Sequence, residues 1–418
     1  MMLTPLHNGL SVGLRLATIL LLTGLSARAQ QIGIPVGADL AEAGQPAEDS
    51  VVVRLVTFYP GSEPFEVFGH TDIRVTQGDA DYYFNYGVFD FTSDGFVWRF
   101  VMGDAEYMCV AIPSAYARTG MEGRRMVEQE LRLTQPQARR VRDYLVANAL
   151  PGNNTYVYQY LGDNCSTRPR DIIEMALGDS LEYAVPGKAV TYRDIMSHYS
   201  RNYPWEQFGI DLVLGSGLDH QIDARERMFI PMLLMEAVDS ARVTAGGKRL
   251  PLVRRTEVVV DASEQGTVLP PTPWYLSPLA AALLAALAAM LLSWRDWTRV
   301  SVSRWFDTLV YGVFGLAGVV VWFLVFFSVR EATSPNLNAV WANPLLLLIA
   351  VCQWVGALRR LTLTLHGLNL AAVVLLALCW PFQAQVANVA FFPLMAVSVI
   401  RSASYLAVWR KSRGAAGQ

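Results

Sequence analysis

The chain has 418 residues, of which 53% are hydrophobic, and its mean hydropathy is +0.28. It is too apolar for an ordinary soluble enzyme and, with 17% charged residues, too charged for a pure membrane bundle, so we expect a two-part protein. The net charge of −2 and the lack of a basic run interleaved with aromatic residues argue against a nucleic-acid partner.

The first 29 residues have the form of a secretory signal peptide. Arg15 precedes an apolar run, Leu16–Leu25, and the small residues of Ala27-Arg28-Ala29 predict cleavage before Gln30. The segment is also compatible with an uncleaved anchor. Residues 30–48 are small, polar and unpatterned, and we interpret them as a linker to an exported domain.

Residues 49–270 are predicted to form that exported domain, an α+β fold with a mainly antiparallel sheet and helices at its side. Alternation of apolar residues predicts strands, and helical spacing predicts helices. The predicted strands are 51–57, 67–75, 81–87, 95–102, 105–112, 156–160 and 257–260. The predicted helical stretches are 124–146, with a capped start at Thr134, then 172–177 and 229–238.

One short run, Asp163–Asp171, combines a cysteine, a helix start and clustered charge. Because residues 172–177 have helical spacing, Cys165 lies at or just before a helix N-terminus. The positive dipole end and the unpaired N–H groups there favour a thiolate. This run alone leaves two interpretations open: a nucleophile, or a small buried cysteine beside a cap formed by Asn164 or Ser166.

A cysteine nucleophile needs a base, and histidine suits that work near neutral pH. His70 is the predicted base because it begins a strand whose same face carries Asp72 and Arg74, whereas the other exported histidines lie in weakly patterned stretches. A third group usually orients the base. The candidates for that role are Asn85, which we favour, and Asp72 and Asp81.

Other polar residues near Cys165 keep alternative interpretations. Cys109 lies in a predicted buried strand, and a disulfide between Cys109 and Cys165 is compatible with an oxidising compartment. Arg168 and Arg170 are suited either to bidentate binding of a phosphate headgroup or to a structural network with neighbouring carboxylates. The segment 199–218 is predicted to pack as ordinary core, with an acyl-chain groove as the alternative.

After residue 270 the composition changes, and five segments have about the 20 apolar residues needed to cross a bilayer. The predicted spans of this domain, 271–407, are 274–293, 306–328, 340–357, 364–382 and 386–407. The basic residues that flank them follow the first, third and fifth spans. The positive-inside rule therefore places those ends, and the tail 408–418, in the cytoplasm, with the exported domain on the other side.

Three runs resemble the Lnb-type lipoprotein N-acyltransferases in combination with the membrane spans. They read FGHTDIRV at 68–75, NYGVFDF at 85–91 and DNCSTR at 163–168. The exported domain of that family is similar to permuted papain-like and NlpC-like folds, in which the histidine precedes the cysteine, as His70 precedes Cys165 here. The resemblance implies acyl transfer from a membrane phospholipid, through a thioester on the cysteine, to the N-terminal amine of a lipoprotein.

The resemblance extends to an Asn- and Trp-rich loop at 333–344. If this loop folds toward the active site, its amides supply donors to the lipid head or to an oxyanion; otherwise Trp341 is an interfacial anchor and the asparagines satisfy one another. The predicted substrate-binding residues are Asn164, Ser166, Arg168, Asn336, Asn338, Trp341 and Asn343.

The sequence thus predicts an integral membrane, thiol-dependent acyltransferase with Cys165, His70 and Asn85 as catalytic residues. Its expected partners are a phospholipid donor and a lipoprotein acceptor, without cofactor, metal or nucleic acid. The expected location is the cytoplasmic membrane of a Gram-negative bacterium, with a periplasmic N-terminal domain. A cell-wall amidase or endopeptidase with the same dyad, and a non-catalytic envelope binding module, are the alternatives.

Overall fold

The computed structural model describes residues 50–61, 66–90, 92–117, 124–184, 188–262 and 270–416. The predicted signal peptide and linker lie outside the described residues. The chain divides into two compact units. Described residues up to Val190 and from Gln221 to Pro270 form the sheet unit, and those of Thr191–His220 and from Pro271 onward form the helical unit.

The strands form two antiparallel sheets, both in the sheet unit. They are β1 (Val52–Phe58), β2 (His70–Gln77), β3 (Ala80–Val88), β4 (Glu106–Pro113), β5 (Met126–Leu131), β6 (Thr155–Val157), β7 (Leu181–Glu182), β8 (Arg242–Ala245), β9 (Lys248–Pro251) and β10 (Val253–Val260). The larger sheet has the order β10-β5-β1-β2-β3-β4-β6, and the smaller has the order β7-β8-β9.

The helices are divided between the two units. They are α1 (Phe96–Met102), α2 (Ser114–Ala117), α3 (Gln135–Ala149), α4 (Thr167–Leu177), α5 (Tyr192–Tyr199), α6 (Pro204–Val213), α7 (Pro231–Ser240), α8 (Pro278–Arg299), α9 (Arg304–Phe327), α10 (Asn338–Trp341), α11 (Leu345–Cys352), α12 (Arg359–Cys379) and α13 (Phe391–Ala416). Short 3₁₀ turns occur at Gly178–Ser180, Ser216–Leu218, Glu226–Phe229, Trp274–Leu276, Gly356–Leu358 and Trp380–Phe382.

The predicted α+β architecture of the exported domain is confirmed, with two corrections. Residues 96–102 form helix α1 and not a strand, because left-handed glycines bound the segment at Gly95 and Gly103 and keep it out of the sheet. Residues 126–131 form strand β5 and not the start of a helix. Glu128 in this strand is buried and paired with Arg74. A charged residue is not expected in a strand inside a sheet, so the sequence pattern did not predict this one.

The two faces of the larger sheet differ in character. One face forms the main hydrophobic core, against which the apolar sides of α3, α4 and α7 pack. On the other face Arg74 bridges Asp81 and Glu128, and the Tyr83 hydroxyl donates to Glu128 at 2.6 Å. These bonds tie β2 to its neighbour β3 and, across β1, to β5, so the strand that begins with His70 is held from both sides.

The helical unit contains four helices that are long and apolar enough to cross a membrane among the described residues: Pro278–Arg299, Arg304–Phe327, Gly356–Phe382 and Phe391–Gly414. The third span predicted at 340–357 is not one continuous helix. That stretch consists of the two short helices α10 and α11, separated where Ala342 leaves the helical conformation before Pro344. Asn343 Oδ1 then accepts the N–H of Leu345 and starts α11.

The chain nevertheless passes along the helical unit five times. The end of α11 returns to the start of α9, since Gln353 Nε2 donates to Thr308 Oγ1. The end of α13 lies beside the end of α8, since Lys411 Nζ donates to the carbonyl of Trp297. The segments rich in arginine and lysine, after the first, third and fifth passes, therefore meet at one end of this unit. We call it the basic end.

Residues 191–220 belong to the helical unit, although the sequence assigned them to the exported domain. Arg193 forms ion pairs with Asp211 and Asp219 at 2.6 and 2.7 Å, which joins α5 to the end of α6. Asp211 also accepts a hydrogen bond from Asn388, and Phe208 packs edge-to-face on Phe391. This buried, paired charge holds the segment against the transmembrane helices, so the segment is packed core, as the sequence predicted.

A second buried charge cluster joins three transmembrane helices. Arg401 of α13 is fully buried and donates to Asp307 of α9 and to Asp296 of α8 at 2.6 and 2.7 Å. Ser293 Oγ accepts a further bond from the same guanidinium. A charge inside a membrane protein is tolerated when it is paired in this way, and removing one partner leaves the other buried and unpaired.

Substitution of Gly318 tests the packing of the broken segment against α9. A Cβ at Gly318 would lie 2.4 Å from the backbone of Asn343, whereas a Cβ at Gly367 in α12 would meet nothing within 4 Å. We expect Gly318→Ala to destabilise the folded protein by about 1–3 kcal/mol, because a methyl group is forced into a filled space. Gly367→Ala is the matched control and should leave stability unchanged or slightly raise it. Thermal unfolding of both variants in one detergent measures this, and equal midpoints would contradict the close approach.

Candidate active site

Cys165 lies immediately before helix α4, as the sequence predicts. Its position is set by Asn164, whose Oδ1 accepts the N–H groups of Ser166 and Thr167 at 2.7 and 2.9 Å. The Asn164 amide nitrogen donates to the carbonyls of Tyr160 and Phe229. Asn164 therefore anchors the helix start to two other loops, and the free, partly exposed thiol of Cys165 projects from a rigid base.

His70 is the residue that the fold brings to Cys165. It begins β2, and its Nε2 lies 3.0 Å from Asp72 Oδ1 on the same strand face. Its imidazole also interacts electrostatically with the thiol group of Cys165.

The charges around His70 favour its protonated form. Burial lowers the pKa of His70, but the negative charge of the Cys165 thiolate and then that of Asp72, together with hydrogen bonds to both, raise it to about 10. An imidazolium beside a thiolate is the resting state in which a cysteine is nucleophilic near neutral pH. The site thus holds the proton that a leaving group will need.

Of the candidates for orienting His70, Asp72, the local alternative, contacts the imidazole, and Asn85, the favoured one, lies next to it on β3. Asn85 faces Asp72 across the β2–β3 pair and is buried, and its Oδ1 has no hydrogen-bond partner among the described residues. A Cβ on Gly87 would lie 3.0 Å from His70 Cε1, 3.6 Å from Asn85 Oδ1 and 3.7 Å from Cys165 Cβ. Asn85 therefore borders the dyad, and the missing side chain of Gly87 makes room for it.

A cavity of about 160 Å³ opens onto Cys165 and His70. Its wall is mainly aromatic, with Tyr107 stacked on Tyr158 at 4.2 Å and Phe68 packed edge-to-face on Tyr160 at 5.8 Å. Burial, and secondarily the charge of Cys165, raises the pKa of Tyr158 and Tyr160, so both hydroxyls stay neutral. The wall is apolar around a reactive ion pair, which suits an acyl group.

Arg124 is a further charged residue near the dyad. No sequence pattern predicted its position there. It is buried, its Nε donates to the carbonyl of Tyr59, and its guanidinium lies 6.0 Å from the ring of Phe58. That ring lies 6.0 Å from the ring of His70. Burial lowers the pKa of Arg124, while the charges of Glu66, Cys165 and Asp72 oppose the shift. Arg124 forms an ion pair with Glu66 at 3.2 Å, so its charge is engaged mainly by that carboxylate.

The charged and polar residues that follow Cys165 have structural partners. Ser166 Oγ donates to the carbonyl of Met228 and is fully buried. Arg168 pairs bidentately with Asp163 at 2.5 and 2.8 Å, and its guanidinium lies 3.8 Å from the ring centre of Tyr156. These contacts favour the structural alternative over substrate binding for both residues, because the groups that would bind a headgroup are already engaged. Arg170 is likewise buried and paired with Asp171.

The Asn-rich loop packs inside the helical unit. The Asn338 amide donates to the carbonyls of Asp211 and Leu212, and its Oδ1 accepts the indole N–H of Trp341. Asn336 donates to the carbonyl of Leu212 and accepts from Gln385, while Asn343 caps α11. Asn336, Asn338 and Trp341 are each less than 10% exposed. These contacts favour a packing role over substrate binding, and the burial of Trp341 excludes an exposed interfacial anchor in this structure.

The remaining thiol of the sheet unit is inert. Cys109 is unpaired and buried in β4, and burial raises its pKa to about 12. Cys109 and Cys165 do not form a disulfide in this structure. Among the described residues there is also no group of three or more His, Cys, Asp or Glu side chains that would hold a metal ion.

Comparison with protein families gives matches to both parts of the chain. Residues 43–198 match the model of the Lnb N-terminal periplasmic domain, and residues 271–413 match the model of the Lnb transmembrane domain. No curated protein and no solved structure matches the chain. The first match contains His70, Asp72 and Cys165, and the second contains all the transmembrane helices described above.

The His70–Cys165 ion pair predicts an unusual titration. The pKa of His70, about 10, lies above the ordinary value of 6.5, so the stabilisation from this pair is fully present below about pH 6.5 and is lost as the pH rises through about 10. Cys165→Ala removes the largest raising charge, and we expect the pKa of His70 to fall. Histidine Cε1 chemical shifts, assigned with His70→Gln, measure it. An unchanged midpoint in Cys165→Ala would exclude the ion pair.

Gly87→Ala tests the spacing of the dyad. The added methyl group would lie 3.0 Å from His70 Cε1, so the imidazole must move away from Cys165. We expect the alkylation rate of Cys165 by iodoacetamide to fall by about tenfold to a hundredfold, because small misplacements at a reacting centre have effects of this size. The assay uses a Cys379→Ser background, since Cys379 is exposed. Gly367→Ala is the control, and equal rates in both variants would contradict the geometry.

Proposed function

The chain belongs to the Lnb-type lipoprotein N-acyltransferase family, and we propose that it transfers an acyl chain from a membrane phospholipid, through a thioester on Cys165, to the N-terminal amine of a lipoprotein. Family membership and the transmembrane helices identify a membrane enzyme that modifies lipoproteins. The observation that carries the proposed chemistry is the Cys165–His70–Asp72 arrangement at an aromatic cavity.

In the first half-reaction the Cys165 thiolate attacks the ester carbonyl of the phospholipid. The bond between the carbonyl carbon and the glycerol oxygen breaks, and the His70 imidazolium gives its proton to that oxygen. A lysophospholipid leaves, and Cys165 carries the acyl group as a thioester. Asp72 keeps the imidazole oriented toward the sulfur throughout.

In the second half-reaction the neutral lipoprotein amine attacks the thioester carbonyl. The bond between carbon and sulfur breaks, an amide forms, and His70, now neutral, takes the proton that the amine releases. The products are the N-acylated lipoprotein and the original thiolate–imidazolium pair. A neutral His70 in the thioester form is consistent with the charges, since the thiolate that most strongly raises its pKa is then absent.

The size of the cavity limits which part of the donor it receives. Enclosed pockets for whole drug-sized ligands have volumes of about 300–1,000 Å³. A cavity of about 160 Å³ accommodates the ester and the first carbons of a chain, and the remainder of the chain extends outside it. The same entrance then serves the lipoprotein amine after the lysophospholipid leaves.

The basic end of the helical unit gives the proposed orientation. By the positive-inside rule this end lies in the cytoplasm. Five passes of the chain then place the start of α8 on the opposite, periplasmic side and the C-terminal end of α13 in the cytoplasm. The sheet unit, which precedes α8, is accordingly periplasmic, in agreement with the predicted signal sequence.

Substitution of the dyad tests the mechanism. We expect Cys165→Ser and His70→Ala to lower N-acylation of a lipoprotein substrate in phospholipid vesicles by at least about a hundredfold, since each removes the nucleophile or its acid–base partner. Mass spectrometry of the wild-type enzyme incubated without acceptor should show an acyl adduct on Cys165. Cys109→Ser is the matched control, because that thiol is buried in the core, and it should retain activity.

Two outcomes would contradict the proposal. One is full N-acylation by a correctly folded Cys165→Ser variant. The other is cleavage of purified muropeptides by the wild-type protein, abolished in Cys165→Ser and with no acyl adduct on Cys165, which would favour the amidase alternative.

A further inference from the structure

A second cavity, of about 440 Å³, lies at the basic end of the helical unit, entirely within that unit. It is bordered by the α8–α9 connection, the end of α11, the start of α12 and the last turns of α13. The residues that matter for its chemistry are Ser301, Arg304, Gln353, Arg359, Tyr405 and Ser412. In contrast to the cavity at Cys165, its wall is rich in polar groups.

The cavity carries positive charge that the described part of the chain does not neutralise. Arg304 is the first residue of α9 and Arg359 is the first residue of α12, so each adds a cation to the positive end of a helix dipole. No aspartate or glutamate lines the cavity. The acidic residues nearest in sequence, Asp296 and Asp307, are both engaged by Arg401. Two helix N-termini meet here, and each carries an arginine that has no ion-pair partner among the described residues. This arrangement favours the binding of an anion.

Gln353 adds a second requirement to the ligand. Its side chain is 4% exposed, and its amide nitrogen donates to Thr308 Oγ1 at 3.0 Å. Its Oε1 is buried and has no hydrogen-bond partner among the described residues, although the residue lines the cavity. Buried acceptors are almost always satisfied. A ligand that fits this site therefore carries both an anionic group for the arginines and a hydrogen-bond donor for Gln353.

The surrounding surface sets the depth of the cavity in the bilayer. Trp305 and Trp354, 78% and 42% exposed, follow the cavity residues Arg304 and Gln353 in the chain, their rings lie 4.8 Å apart, and Trp354 lies 5.9 Å from the Arg304 guanidinium. Exposed tryptophans concentrate at the level of lipid headgroups. A ligand that reaches the cavity from that level is a membrane lipid.

We propose that this cavity binds the headgroup of a glycerophospholipid whose phosphate contacts Arg304 and Arg359 and whose ammonium or hydroxyl group donates to Gln353. Phosphatidylethanolamine and phosphatidylglycerol have both features, whereas phosphatidylcholine lacks the donor. The cavity is a binding site and not a second reaction centre, because no histidine lines it and its cysteine, Cys352, is buried. The bound lipid joins α9, α11, α12 and α13 at the end where the chain crosses between them.

Native mass spectrometry of the full-length protein tests the proposal. The protein is exchanged into detergent and titrated separately with phosphatidylethanolamine, phosphatidylcholine and inorganic phosphate. We expect wild-type protein to retain phosphatidylethanolamine at least about tenfold more tightly than phosphatidylcholine, because the donor to a buried acceptor is missing in the latter. Gln353→Leu should abolish that preference while leaving the phosphate contacts in place.

The arginines are tested with a matched control. Arg304→Gln combined with Arg359→Gln should weaken binding of both lipids by at least about tenfold, whereas Arg360→Gln, which neutralises the adjacent residue outside the cavity wall, should not. Equal binding of the two lipids by wild-type protein would overturn the assignment of Gln353. Equal binding by the double variant and the Arg360→Gln control, or displacement of lipid by millimolar inorganic phosphate, would overturn the headgroup site. The comparison of lipids on wild-type protein decides the matter even if the double variant does not fold.

Discussion

The electrostatic interaction between Cys165 and His70 is the one on which the proposed chemistry of the sheet unit depends. A thiolate and an imidazolium stay paired only if neither side chain can move away, and the fold fixes each of them separately. Asn164 holds the helix start before which Cys165 lies, and Asp72 holds the imidazole. A side chain at position 87 would crowd both residues, and residue 87 is glycine.

The helical unit obeys a different constraint, which is that polar groups inside a membrane protein must be satisfied by protein. Arg401 with its two aspartates, and Arg193 with its two, are complete arrangements of this kind. The Asn338 amide completes another, since it saturates carbonyls at the end of α6. Gln353 Oε1 has no hydrogen-bond partner among the described residues. Gln353 lines the same cavity as Arg304 and Arg359, which have no ion-pair partner among those residues, so the buried acceptor and the arginines support one ligand.

Local sequence patterns predicted the elements whose signal is local. The alternation around His70, the helix after Cys165 and four of the five apolar spans are present as expected, whereas the stretch predicted as the third span forms two short helices. Prediction failed where a distant partner changed the meaning of a residue. Glu128 concealed a buried strand because its partners lie on other strands. For His70, sequence spacing did not show that Asp72 is the candidate that contacts the imidazole.

The sequence by itself determined the two-part composition and the alternation of basic ends, because each is written in residues close together in the chain, and it predicted the pairing of Cys165 with His70. The tertiary structure alone decided that Asp72 orients His70, that residues 191–220 pack with the transmembrane helices, and that the Asn-rich loop is buried core. It also brought Arg124 near Cys165, and Arg304 near Arg359. Apart from Asp72 and His70, which are two positions apart, these pairings join residues tens of positions apart, and only packing determines which of the many chemically compatible partners meet.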